Sequence, residues 1–275
     1  MLPLLRDAMG VAITSAHVTA VTIARGWRRR IADQQRLTFD STRGERIWHP
    51  AAIALQTLMP AVEHRSADVT VTLSNRFVRY VVVPWHDQLT NAEIEVAFAR
   101  HCFREIYGDV VQNWEVRVSP APAGQPRIAS AVDLELLSGI REVFADSKLR
   151  IRSIQPHLMS AYNKWRHKLD RRGCLFVVAE EQFYTCMVLL RRSWCSVHSG
   201  MFSWPLSQAL PIILDREFVR CGIEERPPVF LYAPEQTSVT FAGDASWSSS
   251  CLQLTDEAGL AASLDPIYRT AVMAI

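Results

Sequence analysis

The sequence predicts an α/β protein of two lobes, each opening with a β-hairpin, and three observations carry that expectation. Runs of alternating β-branched residues are interleaved with amphipathic helical stretches along the chain. A hairpin-like pair of strands stands at the start, and another follows the basic break Asp170-Arg171-Arg172-Gly173. With 275 residues, 49% of them hydrophobic, the chain can fill one large core or two lobes. The expected lobes span residues 1–168 and 169–275.

Residues 10–16 and 18–25 read as the first hairpin, because Val18, Ala20 and Thr22 alternate with Thr19, Val21 and Ile23. After a turn at Gly26-Trp27-Arg28, a third strand is expected over 30–40, then a helix over 50–58 with Pro50 near its start. Strands over 68–73 and 76–83 follow in quick succession, the second ending at Pro84, and are expected to pair. Thr90-Asn91-Ala92-Glu93 has the spacing of a capping box, opening a helix to Gly108 whose apolar stripe is Ile94, Phe98, Cys102 and Ile106. Strands over 113–118 and 127–132 flank a Pro/Gly loop, and Asp133 caps a helix carrying Leu136, Leu137, Ile140, Val143 and Phe144. A strand over 151–156 runs into a helix with Leu158, Tyr162, Trp165 and Leu169 on one side.

The second half begins with strands over 176–179 and 184–191. A helix over 206–221 bent at Pro211, a strand over 228–231 and a last helix from about Asp265 complete it. Val11-Ala12-Ile13 aligns with Val177-Val178-Ala179, and Val21, Ile23 and Arg25 align with Met187, Leu189 and Arg191 at the same offset. Each hairpin ends in a basic turn with a tryptophan close by, Trp27 and Trp194, so the halves read as duplicates.

Composition removes several function classes. Thirty Lys+Arg against 28 Asp+Glu leave a net charge of +2, too balanced for a protein that coats nucleic acid. Six scattered cysteines without a Cys-x-x-Cys pair indicate neither a zinc site nor a disulfide framework. No apolar run approaches the about 20 residues of a membrane span, and the first residues are too charged for a signal peptide, so a cytoplasmic location is expected. The eight histidines lack metal-ligand spacing, Ser74, Ser160 and Ser196 lack a nucleophile elbow, and no P-loop or Gly-x-Gly-x-x-Gly occurs. The clusters Arg28-Arg29-Arg30 and Arg171-Arg172 read as solvated turns rather than a lipid-binding patch. Trp85, Trp114, Trp165, Trp204 and Trp247 are expected to fill the core or the groove between lobes.

Two stretches resemble a known family more specifically. One is 69–85, two strands ending in Val83-Pro84-Trp85, with the helix ending Glu105-Ile106-Tyr107-Gly108; the other is the strand Ile151-Arg152-Ser153-Ile154-Gln155-Pro156 entering a helix. They resemble the PilM, GspL cytoplasmic-domain and MshI-like proteins of type IV pilus and type II secretion assembly platforms. The resemblance implies an actin-like ATPase (ribonuclease H-like) fold, two lobes with duplicated β-hairpin-bearing mixed sheets and a subdomain inserted at about 69–150. In that superfamily each hairpin carries Asp-x-Gly, whose glycine admits the phosphates and whose carboxylate holds Mg²⁺ through its water shell. Here Ala12 stands at the Asp position, Thr14 at the Gly position with Ser15 beside it, and Thr19 about where a lysine belongs. The second hairpin has Ala179 for Asp and Glu181 for Gly, and the adenosine-facing Gly-Gly pair is missing between Gly200 and Leu206.

A degenerate nucleotide site is therefore implied, with no catalytic residue, no metal and neither ATP nor Mg²⁺ expected as cofactor. The implied role is a non-catalytic scaffold, peripheral to the inner membrane. It docks the short cytoplasmic tail of a bitopic PilN-like or GspM-like protein in a first-lobe groove and couples to a cytoplasmic assembly ATPase. Arg76, Arg79 and Trp85 are the residue types suited to hold such a peptide. The alternative is a divergent actin-like ATPase or kinase using other carboxylates, such as Asp133 or Glu180. Homodimerisation, and continuation past Ile275 into a GspL-like membrane span, are left open.

Overall fold

Three β-sheets organise the chain in the computed structural model, which describes residues 6–24, 29–40, 46–63, 66–89, 91–236, 247–254 and 264–275. In the first half, β1 (Asp7–Ile13), β2 (His17–Ala24) and β3 (Arg30–Thr38) form an antiparallel meander. On the other side of β1, β4 (Ala67–Leu73) and then β8 (Arg150–Pro156) add in parallel, giving the order β3-β2-β1-β4-β8. In the second half, β9 (Gly173–Glu180), β10 (Phe183–Leu190) and β11 (Ser193–Met201) form another antiparallel meander. Here β12 (Val229–Tyr232) and β13 (Ser249–Cys251) add in parallel, giving β11-β10-β9-β12-β13. The two orders are the same, so the duplication read from the hairpins extends to whole sheets.

The third sheet lies between β4 and β8 in the chain and comprises β5 (Val78–Val83), β7 (Arg127–Asp133) and β6 (Trp114–Val118), in that order. The expected pairing of 68–73 with 76–83 does not occur. Strand β4 has both edges occupied, by β1 and β8, and a 3-10 turn at Asn75–Phe77 carries the chain into the other sheet, where β5 pairs with β7.

Helices cover the sheets by the alternation of strand side chains. Met9, Val11 and Ile13 belong to the main core with Ala51, Leu55 and Leu58 of α1 (His49–Val62) and with Leu136 and Ile140 of α3 (Leu134–Ala145). On the opposite face Ala12, Val21 and Ile23 pack with Ala271 of α6 (Arg269–Met273). A Cβ on Gly10 would stand 1.7 Å from the Ala271 carbonyl oxygen, so this approach requires glycine. The last helix of the chain thus packs on the first sheet, although it follows the residue expected to begin the second lobe.

In β9, Leu175, Val177 and Ala179 pack with α5 (Leu206–Cys221), whereas Cys174, Phe176 and Val178 share the main core with Leu158 and Ala161 of α4 (His157–Trp165). Helix α4 is therefore the layer common to both halves. Fully burying a side chain such as Phe176 contributes roughly 2 kcal/mol, and a one-residue slip of β9 would reverse both of its faces.

Other expectations change in detail. Helix α2 (Ala92–Tyr107) is capped by Asn91, whose Oδ1 accepts from the Ile94 amide at 2.9 Å; Thr90 lies outside the described residues, as do Gly26, Trp27 and Arg28. Its buried residues are Ala99 and Phe103, while Ile94 and Ile106 are exposed. A strict four-residue stripe drifts by about 40° per step on a 3.6-residue helix, so its two ends rotate out of contact. Strand β11 escapes sequence reading because it is an edge strand whose apolar alternation is broken by a bulge at Cys195, leaving Cys195, Ser199 and Met201 exposed, and β13 because it is only 3 residues long. Helix α1 runs on through Pro60 and α5 through Pro211. Trp165 and Trp247 are buried as expected, but Trp204 is 59% exposed.

Candidate functional site

The second hairpin reaches across to the first half through one side chain. Glu180, the last residue of β9, is buried at the end of an otherwise apolar strand. One of its carboxylate oxygens accepts from the Ser74 hydroxyl; the other accepts from the Asn75 amide at 2.9 Å and lies 2.8 Å from Nδ1 of His157. Asn75 extends the network, its Oδ1 accepting from the Tyr80 hydroxyl at 2.6 Å and from the Leu158 amide at 2.8 Å. The second bond satisfies an N-terminal amide of α4, which its own cap residue Pro156 leaves without a side-chain acceptor. Burial and the charge of Glu180 push the Tyr80 phenol well upward, which keeps it a hydrogen-bond donor. The ring of His157 packs edge-on against Tyr232 at 5.7 Å.

The first hairpin closes on itself instead. The Thr14 hydroxyl donates to the His17 carbonyl at 2.9 Å and accepts from the His17 amide at 3.0 Å, forming a side-chain-closed turn. Of the residues singled out by sequence, Ala12 and Thr19 are direct cross-strand partners, and Thr14 and Ser15 are buried in the adjoining turn. On the other hairpin Ala179 is buried and Glu181 is exposed in the turn beyond Glu180. Behind the first turn, Nε2 of His17 lies 3.5 Å from Glu235. Burial, with help from Arg36 and against Glu180, lowers His17 to about 4. Burial, then Glu180 and Glu181, raises Glu235 to about 7.

Sequence reasoning named Glu180 only as an alternative carboxylate and considered Ser74 and His157 only to dismiss a triad and a metal site. The available signal was an acid ending an all-apolar strand. Asp133, the other alternative, caps α3, accepting from the Glu135 amide at 2.9 Å. Among the described residues no group of three His, Cys, Asp or Glu side chains is placed to hold a metal. Cys174 is a buried thiol pushed up to about 12 by desolvation, as an inert core cysteine should be.

Two grooves flank this centre. One, of about 520 Å³, lies within the first half. Consecutive residues 151–156 of β8 line it, which marks a strand edge, whereas Glu115 and Arg117 of β6 and Ser130 and Val132 of β7 alternate, which marks a sheet face. Its charges are paired internally: Glu115 with Arg117 and Arg141, and Arg152 with Asp68 at 3.0 Å. The Arg117 hydrogen bond and both guanidiniums hold the Glu115 carboxyl below its usual range. The other groove, of about 390 Å³, lies between β5 and β11 and is lined by Arg76 and Arg79. Trp85 is absent from its lining; Trp85 lies under the guanidinium of Arg127 at 5.0 Å and donates to Asp87 at 3.1 Å. The structure therefore brings Arg76 and Arg79 together and leaves Trp85 apart.

Two mixed sheets of identical order, each opening with an antiparallel meander and joined through a buried centre, define the actin-like ATPase fold. Over 99% of this chain and 98% of the other, the structure is similar to the PilM-PilN type IV pilus biogenesis complex, with TM-score 0.65 and 14% identity. It is similar to the cytoplasmic domain of EpsL, an inner membrane component of the type II secretion system of Vibrio cholerae, with TM-score 0.58 and 11% identity over 90% of each chain. A Bacteroides thetaiotaomicron protein with actin-like ATPase fold and unknown function has TM-score 0.57 and 9% identity, covering 85% of this chain and 83% of its own. No protein-family model matches the sequence, and no curated protein matches it. At these identities the likeness is one of fold.

Proposed function

We propose that this chain is a non-catalytic scaffold of a type IV pilus or type II secretion inner-membrane assembly platform. It docks the short cytoplasmic tail of a bitopic PilN-like or GspM-like protein and couples that partner to a cytoplasmic assembly ATPase. The observation that carries the reading is the first-half groove, where the free edge of β8 runs beneath the face of the β6–β7 sheet. An extended tail entering there extends the first sheet by one strand, with main-chain hydrogen bonds to β8 and alternate side chains directed to α3 and α4. The similarity to a PilM-PilN complex supports this choice of partner. No helix among the described residues is long and apolar enough to cross a membrane, consistent with attachment through such a partner.

The same proposal holds that the scaffold works without nucleotide. Glu180 directs a carboxylate across the interlobe centre, Glu181 adds a second at the adjoining turn, and no glycine stands at 12, 14, 179 or 181. Such a donor set does not suit a triphosphate with Mg²⁺, which needs amide-lined glycine turns and cations. The test is calorimetric titration of the full chain with a synthetic peptide of the cytoplasmic tail of the membrane protein encoded beside it. Saturable binding that Ser130→Trp abolishes by filling the groove is expected; binding unaffected by that substitution, or none, refutes the docking site.

A further inference from the structure

The groove between the two halves differs chemically from the one within the first half. Arg76, Arg79 and His198 line it, and among the described residues no carboxylate does. Among the described residues the Arg79 guanidinium touches only the backbone carbonyls of Arg76 and Val78, at 3.1 and 3.3 Å, and neither arginine makes an ion pair. The acid behind the wall, Glu217, is fully buried and held by Arg220, which donates to one of its oxygens at 2.9 Å; its other oxygen lies 2.8 Å from Nδ1 of His198. The groove therefore presents positive charge that nothing in the described fold compensates.

Its apolar lining is equally unusual. Ile47, Tyr107 and Met201 are 41%, 38% and 60% exposed, and all three border this one groove. A single exposed apolar side chain needs no explanation, whereas three converging beside unpaired guanidiniums form the apolar patch and polar handles of an interaction site.

We propose that the interlobe groove docks an acidic segment of a protein partner, a short peptide whose carboxylates lie beside large apolar side chains. Guanidiniums with free N–H groups take carboxylates in two-point hydrogen bonds, while Tyr107, Ile47 and Met201 cover the adjoining apolar groups. This site is separate from the first-half groove and does not rest on the tail-docking reading. Because β5 forms one wall and β11 the other, the peptide contacts both halves at once, and the Glu180 network holds those walls in register.

Fluorescence anisotropy of the full chain tests this with labelled DLEELF, its amide analogue NLQQLF and the charge-reversed KLKKLF. Saturable binding of DLEELF is expected, about tenfold weaker for NLQQLF and about tenfold weaker in Arg79→Gln. In Arg76→Glu/Arg79→Glu the preference should turn to KLKKLF, a reversal that loss of folding cannot produce. Met201→Ser should weaken DLEELF without changing the ratio between peptides. Equal binding of DLEELF and NLQQLF, or binding indifferent to the double substitution, overturns the proposal. Displacement of DLEELF by equimolar inorganic phosphate also overturns it, since a plain anion site would then suffice.

Discussion

The two hairpins occupy matching places in sheets of the same order, yet one closes on itself and the other crosses to the opposite half. Thr14 satisfies its own turn with a neutral hydroxyl, while Glu180 spends both carboxylate oxygens on Ser74, Asn75 and His157. An actin-like fold needs something to hold its halves in a defined relation. Here the buried Glu180 side chain joins the two halves directly. The cost of losing each hairpin contact should differ accordingly.

Glu180→Ala gives the largest effect. It strands the buried Ser74, Asn75 and His157 groups without an acceptor, for a loss of roughly 3 kcal/mol in urea denaturation. Thr14→Val removes a local turn closure and should cost only about 1 kcal/mol. Equal losses would mean that the crossing contact is no more important than the turn.

Next comes the pH dependence of the pair behind the first turn. His17 is lowered from 6.5 to about 4, so stability contributed by its neutral form falls as pH drops from 6.5 toward 4. Glu235 is raised from 4.5 to about 7, so its contribution falls as pH rises from 4.5 toward 7. In the native protein the two slopes oppose between 4.5 and 6.5. Glu235→Gln should expose the His17 slope and His17→Gln the Glu235 slope, each up to about 1.4 kcal/mol per pH unit. Denaturation at a series of pH values reads both, and parallel profiles for the two variants would contradict the assignment.

The smallest change is a gain. The turn between β10 and β11 places Arg191 and Arg192 at φ 51° and 65°, a left-handed pair that Asn-Gly adopts more readily. Replacing both with Asn-Gly should add about 1 kcal/mol without disturbing the Glu180 contacts. A loss would show that the arginine side chains contribute more than the backbone strain removes.

Much of this fold was legible because buried strands in both halves carry long apolar runs and helices such as α3 carry a clear cap and stripe. What failed to read was decided by neighbours distant in the chain. Strand β5 left β4 because β8 claimed that edge, and β11 looked like loop because a bulge at Cys195 breaks its alternation. The departures at 12, 14, 15, 19, 179 and 181 from the pattern that the resemblance implies were readable in the sequence. The network around Glu180 was not, since Ser74 and Asn75 come from the turn after β4 and His157 from α4, and they converge only because α4 lies between the sheets. Arg76 and Arg79 were picked as a residue type for peptide binding, but the wall they share with β11 is set by tertiary packing.

The proposed function has this chain hold its halves through Glu180 and work without nucleotide. Calorimetric titration of the full chain with Mg-ATP tests it most directly. The account predicts no saturable heat and no released phosphate; saturable, Mg²⁺-dependent binding with turnover would contradict it and make the interlobe centre a working nucleotide site.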